Sequence, residues 1–140
     1  MLNIEELLNN QVNLDLTTEE KNYLYNLGAN KCQIGDFVAA SKIYQLLTLL
    51  DAKNPLYLKA LAGCNQAQEQ YLPANLLYDA AYALNPIDHD CLFYAANCLN
   101  KLGQLDSATQ KLTQFIQISD NQLLIKRAKL LLAAIKQKNS

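Results

Sequence analysis

The sequence is poor in the residues that most catalytic and metal sites need. It has no tryptophan, one histidine, four glycines and three prolines in 140 residues. The single histidine, His89, lies in "IDHD" between Asp88 and Asp90. Such a trio binds a metal weakly, and it reads more simply as an exposed turn with Asp88 or Asp90 capping the next helix. There is no glycine-rich phosphate loop, no Walker pattern and no nucleophile elbow, so no enzyme, cofactor or catalytic residue is expected. The four cysteines, Cys32, Cys64, Cys91 and Cys98, form no C-x-x-C pair and have no histidine at finger spacing. They read as reduced, packed small hydrophobes, with a metal or disulfide set as the lesser alternative.

Three other features are missing. Net charge is only −1, which gives no general pull toward nucleic acid or anionic lipid. No apolar run approaches the roughly 18–20 residues that span a bilayer. The start, "MLNIEELLNN", lacks a basic leader and a long apolar core, so a cytoplasmic protein without a signal peptide is expected. Charge is nevertheless unevenly placed. Glu5, Glu6, Asp15, Glu19 and Glu20 gather early, whereas Lys126, Arg127, Lys129, Lys136 and Lys138 gather late.

What the chain does have is apolar content and a period. Half of it (51%) is hydrophobic, enough for one domain with a real core rather than disorder. A shift of 34 residues aligns the sequence with itself without a gap. Leu24, Leu58 and Leu92 superimpose, as do Gly28, Ala62 and Ala96. Phe37, Tyr71 and Leu105 coincide, then Ala40, Ala74 and Ala108, then Tyr44, Tyr78 and Leu112. This is the tetratricopeptide period and pattern. Small residues at two fixed places let paired helices approach, and large ones fill the gaps between pairs.

The punctuation agrees. Gly35-Asp36 and Gly103-Gln104 stand between paired helices, where glycine supplies a left-handed cap, and Glu69-Gln70 takes that slot in the middle repeat. Pro73 falls at the start of a second helix, where its missing N–H costs little. "DAKNP" and "NPIDHD" separate the repeats. Thr17 and Glu20 form a capping box. Residues 1–16 read as an N-terminal helix, with Ile4, Leu7, Leu8 and Val12 on one face. Asp120 or Ser119 is expected to cap a final helix over 121–138, which covers the open end of the stack. The expected fold is therefore all-α: an α-solenoid of three tetratricopeptide repeats (21–54, 55–88 and 89–122), flanked by an N-terminal helix and a C-terminal capping helix, in one domain over 1–140.

In such a stack the first helix of each pair lines the concave side. Family geometry places the second, fifth, ninth and twelfth residues of each repeat inward. These are Asn22, Tyr25, Ala29 and Cys32, then Leu56, Lys59, Gly63 and Gln66, then Asp90, Phe93, Asn97 and Asn100. Only Lys59 is a cation among them. An acidic peptide tail needs several converging cations, so the set suits an extended peptide with apolar anchors. Tyr25 and Phe93 would offer apolar faces, Ala29 and Gly63 would leave room, and the Asn and Gln side chains would bond a peptide backbone. The alternative for these residues is contact with the terminal helices.

Specific runs narrow the family. "LYNLGANKCQIGDFVAASKIYQLL" resembles the first repeat of the class II chaperones of bacterial type III secretion. "LAGCNQAQEQYLPANLLYDAAYALNP" is similar to their second repeat, and "FYAANCLNKLGQLDSA" to their third. The resemblance runs from Tyr23 to about Ile118. It implies a chaperone that holds an extended segment of a secreted translocator, or of an effector, in its groove in the bacterial cytoplasm. It also implies a possible homodimer through the N-terminal helix and, in some members, help to a transcriptional regulator. Family members often carry aromatic residues at the places of Ala29 and Cys32 and a hydrophobe at Lys59. The groove here is thus smaller-sided and more polar. A general protein–protein adaptor or assembly scaffold is the competing expectation.

Overall fold

The computed structural model describes residues 15–138. The expected N-terminal helix lies outside them, apart from Asp15 and Leu16. Seven helices follow: α1 (Thr18–Gln33), α2 (Phe37–Leu50), α3 (Pro55–Ala67), α4 (Tyr71–Leu84), α5 (Asp90–Lys101), α6 (Leu105–Ile118) and α7 (Gln122–Lys138). The fold is all-helical, as the period requires. Each helix packs on the next in chain order.

The helices are defined locally. Thr17 Oγ1 accepts from Glu20 N–H while Glu20 Oε1 accepts from Thr17 N–H, both at 3.1 Å, so the capping box opens α1. Asp36 caps α2 through Ala39 N–H, and Asn54 caps α3 through Leu56 N–H ahead of Pro55. Two expected caps differ. Asn121, not Asp120 or Ser119, accepts from Leu124 N–H at the start of α7, while the Ser119 hydroxyl accepts from Asn121 N–H. At α5, no side chain caps the N-terminus. There the Asp88 and Asp90 carboxylates are engaged by Lys59 and Asn121 instead.

The three turns within repeats share one geometry. A backbone N–H two residues past the cap reaches back to close the last helical turn: Asp36 to Lys31, Gln70 to Asn65 and Gln104 to Leu99, at 2.8–2.9 Å. The residue before each donor must be left-handed. Gly35 (φ 81°) and Gly103 (φ 77°) meet this freely, whereas Glu69 is forced to φ 60°.

Two layers result. Contacts between alternate helices tie α1 to α3, α3 to the turn before α5, and α5 to the turn before α7. On the other side, Lys111 of α6 reaches Asp79 of α4 at 2.7 Å. The core is segmented accordingly. One cluster joins α1, α2 and α3 around Leu47, a second joins α3, α4 and α5 around Ala74 and Cys98, and a third joins α5, α6 and α7 around Phe115. Each repeat buries its apolar face on its neighbours, as in other solenoids. Leu124, Ala128 and Ile135 of α7 are buried in the third cluster.

Candidate peptide-binding groove

The inner layer of α1, α3, α5 and α7 carries the inward positions, and their surroundings differ sharply. Tyr25 is half-buried, its ring 5.7 Å from Tyr44 and 6.0 Å from Tyr57. Its carbonyl accepts from the Tyr44 hydroxyl at 3.1 Å. This three-tyrosine cluster fixes Tyr25 between repeats while leaving part of it at the surface. Ala29 and Cys32 follow along α1, both half-buried, and Asn22 is exposed. Leu56, at the head of α3, is half exposed at 50%.

Lys59 does not offer a free charge. Its Nζ lies 2.8 Å from Asp88 Oδ2. Burial alone would lower its pKa, but the hydrogen bond and charge of Asp88 outweigh that and raise it, so the ammonium stays charged and paired. The middle of the groove therefore presents a neutralised pair rather than an anchor for a carboxylate.

Gly63 and Gln66 occupy the next turns of α3. A Cβ on Gly63 would meet only the Tyr78 hydroxyl, at 3.8 Å, so the surface there is open. Gln66 is partly committed to packing, because its Oε1 accepts from that same hydroxyl at 2.8 Å. Burial raises the Tyr78 pKa, which keeps the hydroxyl a donor at neutral pH.

The third repeat departs from expectation. Phe93 is 5% exposed and belongs to the cluster that holds Leu124, Ala128 and Ile135 of α7. Its ring stands 5.8 Å from Phe115 and 5.6 Å from Tyr94. The reason is α7, which extends the inner layer by one helix and covers this position. Phe93 is thus a core residue in this structure, not an open anchor. Asp90 is engaged by Asn121 at 3.4 Å. Asn97 and Asn100 are half-buried. The groove is accordingly shallow and lies mainly along α1 and α3. Two cavities lie elsewhere, at the two ends of the described stack: 380 Å³ beside Leu16, Tyr23 and Leu24, and 300 Å³ beside Ile125 and Leu130.

Two contacts were not legible beforehand. Cys64 lies with its Sγ 3.7 Å from Cys32 Sγ, and Asp88 pairs with Lys59. The tyrosine and cysteine pairs between α1 and α3 are both separated by 32 residues. That offset, two less than the repeat, is the signal that would have found the cysteine pair, whereas Lys59 and Asp88 stand 29 residues apart and follow no shared offset.

No protein-family model matches the chain. The low calcium response locus protein H of Yersinia pestis is 30% identical over 94 residues, which is 67% of this chain and 56% of that protein. The match thus spans little more than half the length of that relative. The Yersinia enterocolitica type III secretion chaperone SycD, solved with a peptide of the translocator YopD, superimposes with a TM-score of 0.83. The identity is 28%, over 91% of this chain and 100% of that one. The chain resembles the type III secretion translocator chaperones in both sequence and fold. PcrH of Pseudomonas aeruginosa, solved with the chaperone-binding region of PopD, agrees at a TM-score of 0.82 and 28% identity, over 89% and 97% of the two chains. The likeness to these chaperones covers about nine-tenths of this chain, 91% and 89% in the two cases.

Proposed function

We propose that this protein is a bacterial cytoplasmic chaperone of type III secretion. It binds an extended segment of a secreted translocator along the inner layer and keeps that partner soluble and ready for export. The observation that carries this reading is the likeness, over nearly the whole chain, to a chaperone solved with a translocator peptide. The geometry supports it from below. Tyr25 offers a partly open aromatic face, Ala29 and Gly63 leave room beside it, and Lys59 is neutralised by Asp88. Such a surface favours apolar side chains of an extended peptide over an acidic tail. The role is one of binding rather than catalysis, and dimerisation through the N-terminal segment belongs to the same reading.

The test is co-expression with a secreted protein of long apolar segments encoded beside this gene. A soluble complex is expected, and Tyr25→Ala is expected to weaken it at least tenfold while the helical stack still melts cooperatively. Normal binding by that variant would remove Tyr25 from the site. Failure of any such protein to co-purify would count against the chaperone reading.

A second reading has one observation in its favour. The outer helices expose Val38, Leu49, Leu72 and Leu76, each more than half accessible. An adaptor that engages a folded partner would use such a face. Hydrogen exchange with and without the partner separates the two, by protection on α1 and α3 or on α2 and α4.

A further inference from the structure

The inner layer holds a pair of thiols, one of them at an inward repeat position, whose meeting neither the repeat pattern nor the peptide-binding reading explains. Cys32 lies in the last turn of α1 and Cys64 in the last turns of α3, and their sulfurs are 3.7 Å apart. Both are free. They come from separate repeats, 32 residues apart in sequence, and meet only because the first helices stack.

The two thiols are not equivalent. Cys32 is half-buried and reachable from the concave side, whereas Cys64 is 1% exposed, within the cluster that contains Leu47 and Tyr57. Cys91 and Cys98 are buried in α5, and neither is paired with another cysteine by any such contact. One accessible sulfur backed by one enclosed sulfur is the arrangement of an attacking and a resolving thiol. Sulfurs 3.7 Å apart must close by about 1.7 Å to reach the ~2.05 Å of a disulfide bond.

We propose that Cys32 and Cys64 form an oxidisable dithiol site that closes into a disulfide clip between the first and second repeats. The oxidant is a small-molecule disulfide. The Cys32 thiolate attacks one sulfur of that disulfide, forms a mixed disulfide and releases one thiolate. Cys64 then loses its proton, its sulfur attacks Cys32 Sγ, and the second small thiolate leaves with that proton. The protein loses two electrons and two protons, and the small disulfide becomes two thiols. The second step is the slow one, because burial holds Cys64 protonated.

The clip would act at the first end of the described stack. Helix α1 packs on α2 and sets Leu24, Tyr25, Leu27 and Cys32 against the cluster that holds Tyr57 and Cys64 of α3, and Gly28 is its single buried residue. A covalent tie from its C-terminal turn to α3 would hold it against fraying and fix the spacing of the first two repeats.

The experiment treats the full 140-residue protein with oxidised glutathione and follows it by intact mass and non-reducing peptide mapping. The expected product is a monomer lighter by two hydrogens, with Cys32 linked to Cys64 and with Cys91 and Cys98 still free thiols. Hydrogen exchange should slow across α1 and stay unchanged in α6. The melting temperature should rise by roughly 5 °C or more and fall back with reductant. Cys64→Ala should stop at the glutathione adduct on Cys32, and Cys32→Ser should give neither adduct nor link in the first two repeats. A persistent glutathione adduct in the unmutated protein, a link between two copies, or no change in α1 exchange on oxidation would each overturn the proposal. The chemical readout needs no binding partner, so it stands or falls apart from the chaperone reading.

Discussion

Gly28 lies beneath the ring of Tyr44, so closely that a Cβ on Gly28 would stand 2.6 Å from Tyr44 Cζ and 2.9 Å from its hydroxyl. The tyrosine crosses α1 at this point to donate its hydroxyl to the Tyr25 carbonyl. The ring is rigid and 3% exposed, so it cannot step aside. The second repeat has alanine, Ala62, at the matching place, and its Tyr78 hydroxyl goes to Gln66 instead. The third pairs Ala96 with Leu112, both fully buried. Glycine is therefore required where the tyrosine crosses the first helix, and alanine fits where it turns aside or is replaced by leucine.

Gly28→Ala is accordingly expected to destabilise the protein by about 2 kcal/mol, the usual cost of overpacking a tight core. Combining it with Tyr44→Leu recreates the combination of the third repeat. The double variant should lie at least 1 kcal/mol, roughly, above the sum of the single effects. Urea unfolding of the four proteins measures this, and strict additivity would show that the contact is not what requires the glycine.

Glu69 occupies a backbone position built for glycine. Its φ of 60° matches Gly35 and Gly103 in the equivalent turns, and its side chain is exposed. A left-handed conformation costs a residue with a Cβ roughly 1–2 kcal/mol. Glycine gives up part of that gain through its freer unfolded chain. Glu69→Gly should therefore stabilise the fold by about 0.5–1 kcal/mol without altering the groove, seen as a higher urea midpoint at unchanged slope.

These turns also show how far the sequence could be read. The 34-residue period marked equivalent positions, because each repeat solves the same packing problem with the same residue sizes. It therefore revealed the small-residue places, the slot of Glu69 and the helix order. Contacts between repeats follow a different offset. Tyr25 meets Tyr57, Cys32 meets Cys64 and Asp79 meets Lys111, each 32 residues on. Neighbouring helices are staggered, so a register of equivalence does not reveal a register of contact. Phe93 escaped for a related reason. It sits at an inward repeat position, yet α7, which is outside the repeat pattern, closes over it. The period says nothing about a flanking helix that joins the inner layer.

Burial of titratable groups predicts how stability depends on pH. Burial raises the thiols of Cys91 to about 12 and Cys98 to about 11, from an ordinary 9.0. Tyr44 and Tyr78 are also raised by burial above their ordinary 10.0. In each case the unfolded chain loses its proton first as pH rises. Above the ordinary value the native state thus binds more protons than the unfolded one, and stability falls with pH. The stabilising contribution is complete below about pH 8.5 and is lost progressively above about pH 9. Lys59, raised by Asp88 against its own burial, is lost in the same direction at still higher pH. The urea midpoint should hold steady from about pH 7 to 8.5 and decline from about pH 9 to 11. Cys98→Ala should make that decline shallower, and an equally steep decline in this variant would assign the loss to the tyrosines and other thiols.

The second helical glycine of the inner layer makes the opposite prediction from the first. Gly63 sits one helix along from Gly28 and one place later in its repeat, with only the Tyr78 hydroxyl 3.8 Å from a would-be Cβ. The core does not need this glycine, and in a helix interior glycine costs about 1 kcal/mol relative to alanine. Gly63→Ala should therefore raise stability by several tenths of a kcal/mol, roughly, and leave partner binding intact. Gly63→Met places a long side chain over the open surface at this turn of α3. It should fold as well as the parent, yet reduce co-purification of a translocator partner at least tenfold. Retained binding by the methionine variant would mean that the peptide does not run past α3 at this turn. A loss of stability in the alanine variant would mean that the surface at Gly63 is not open at all.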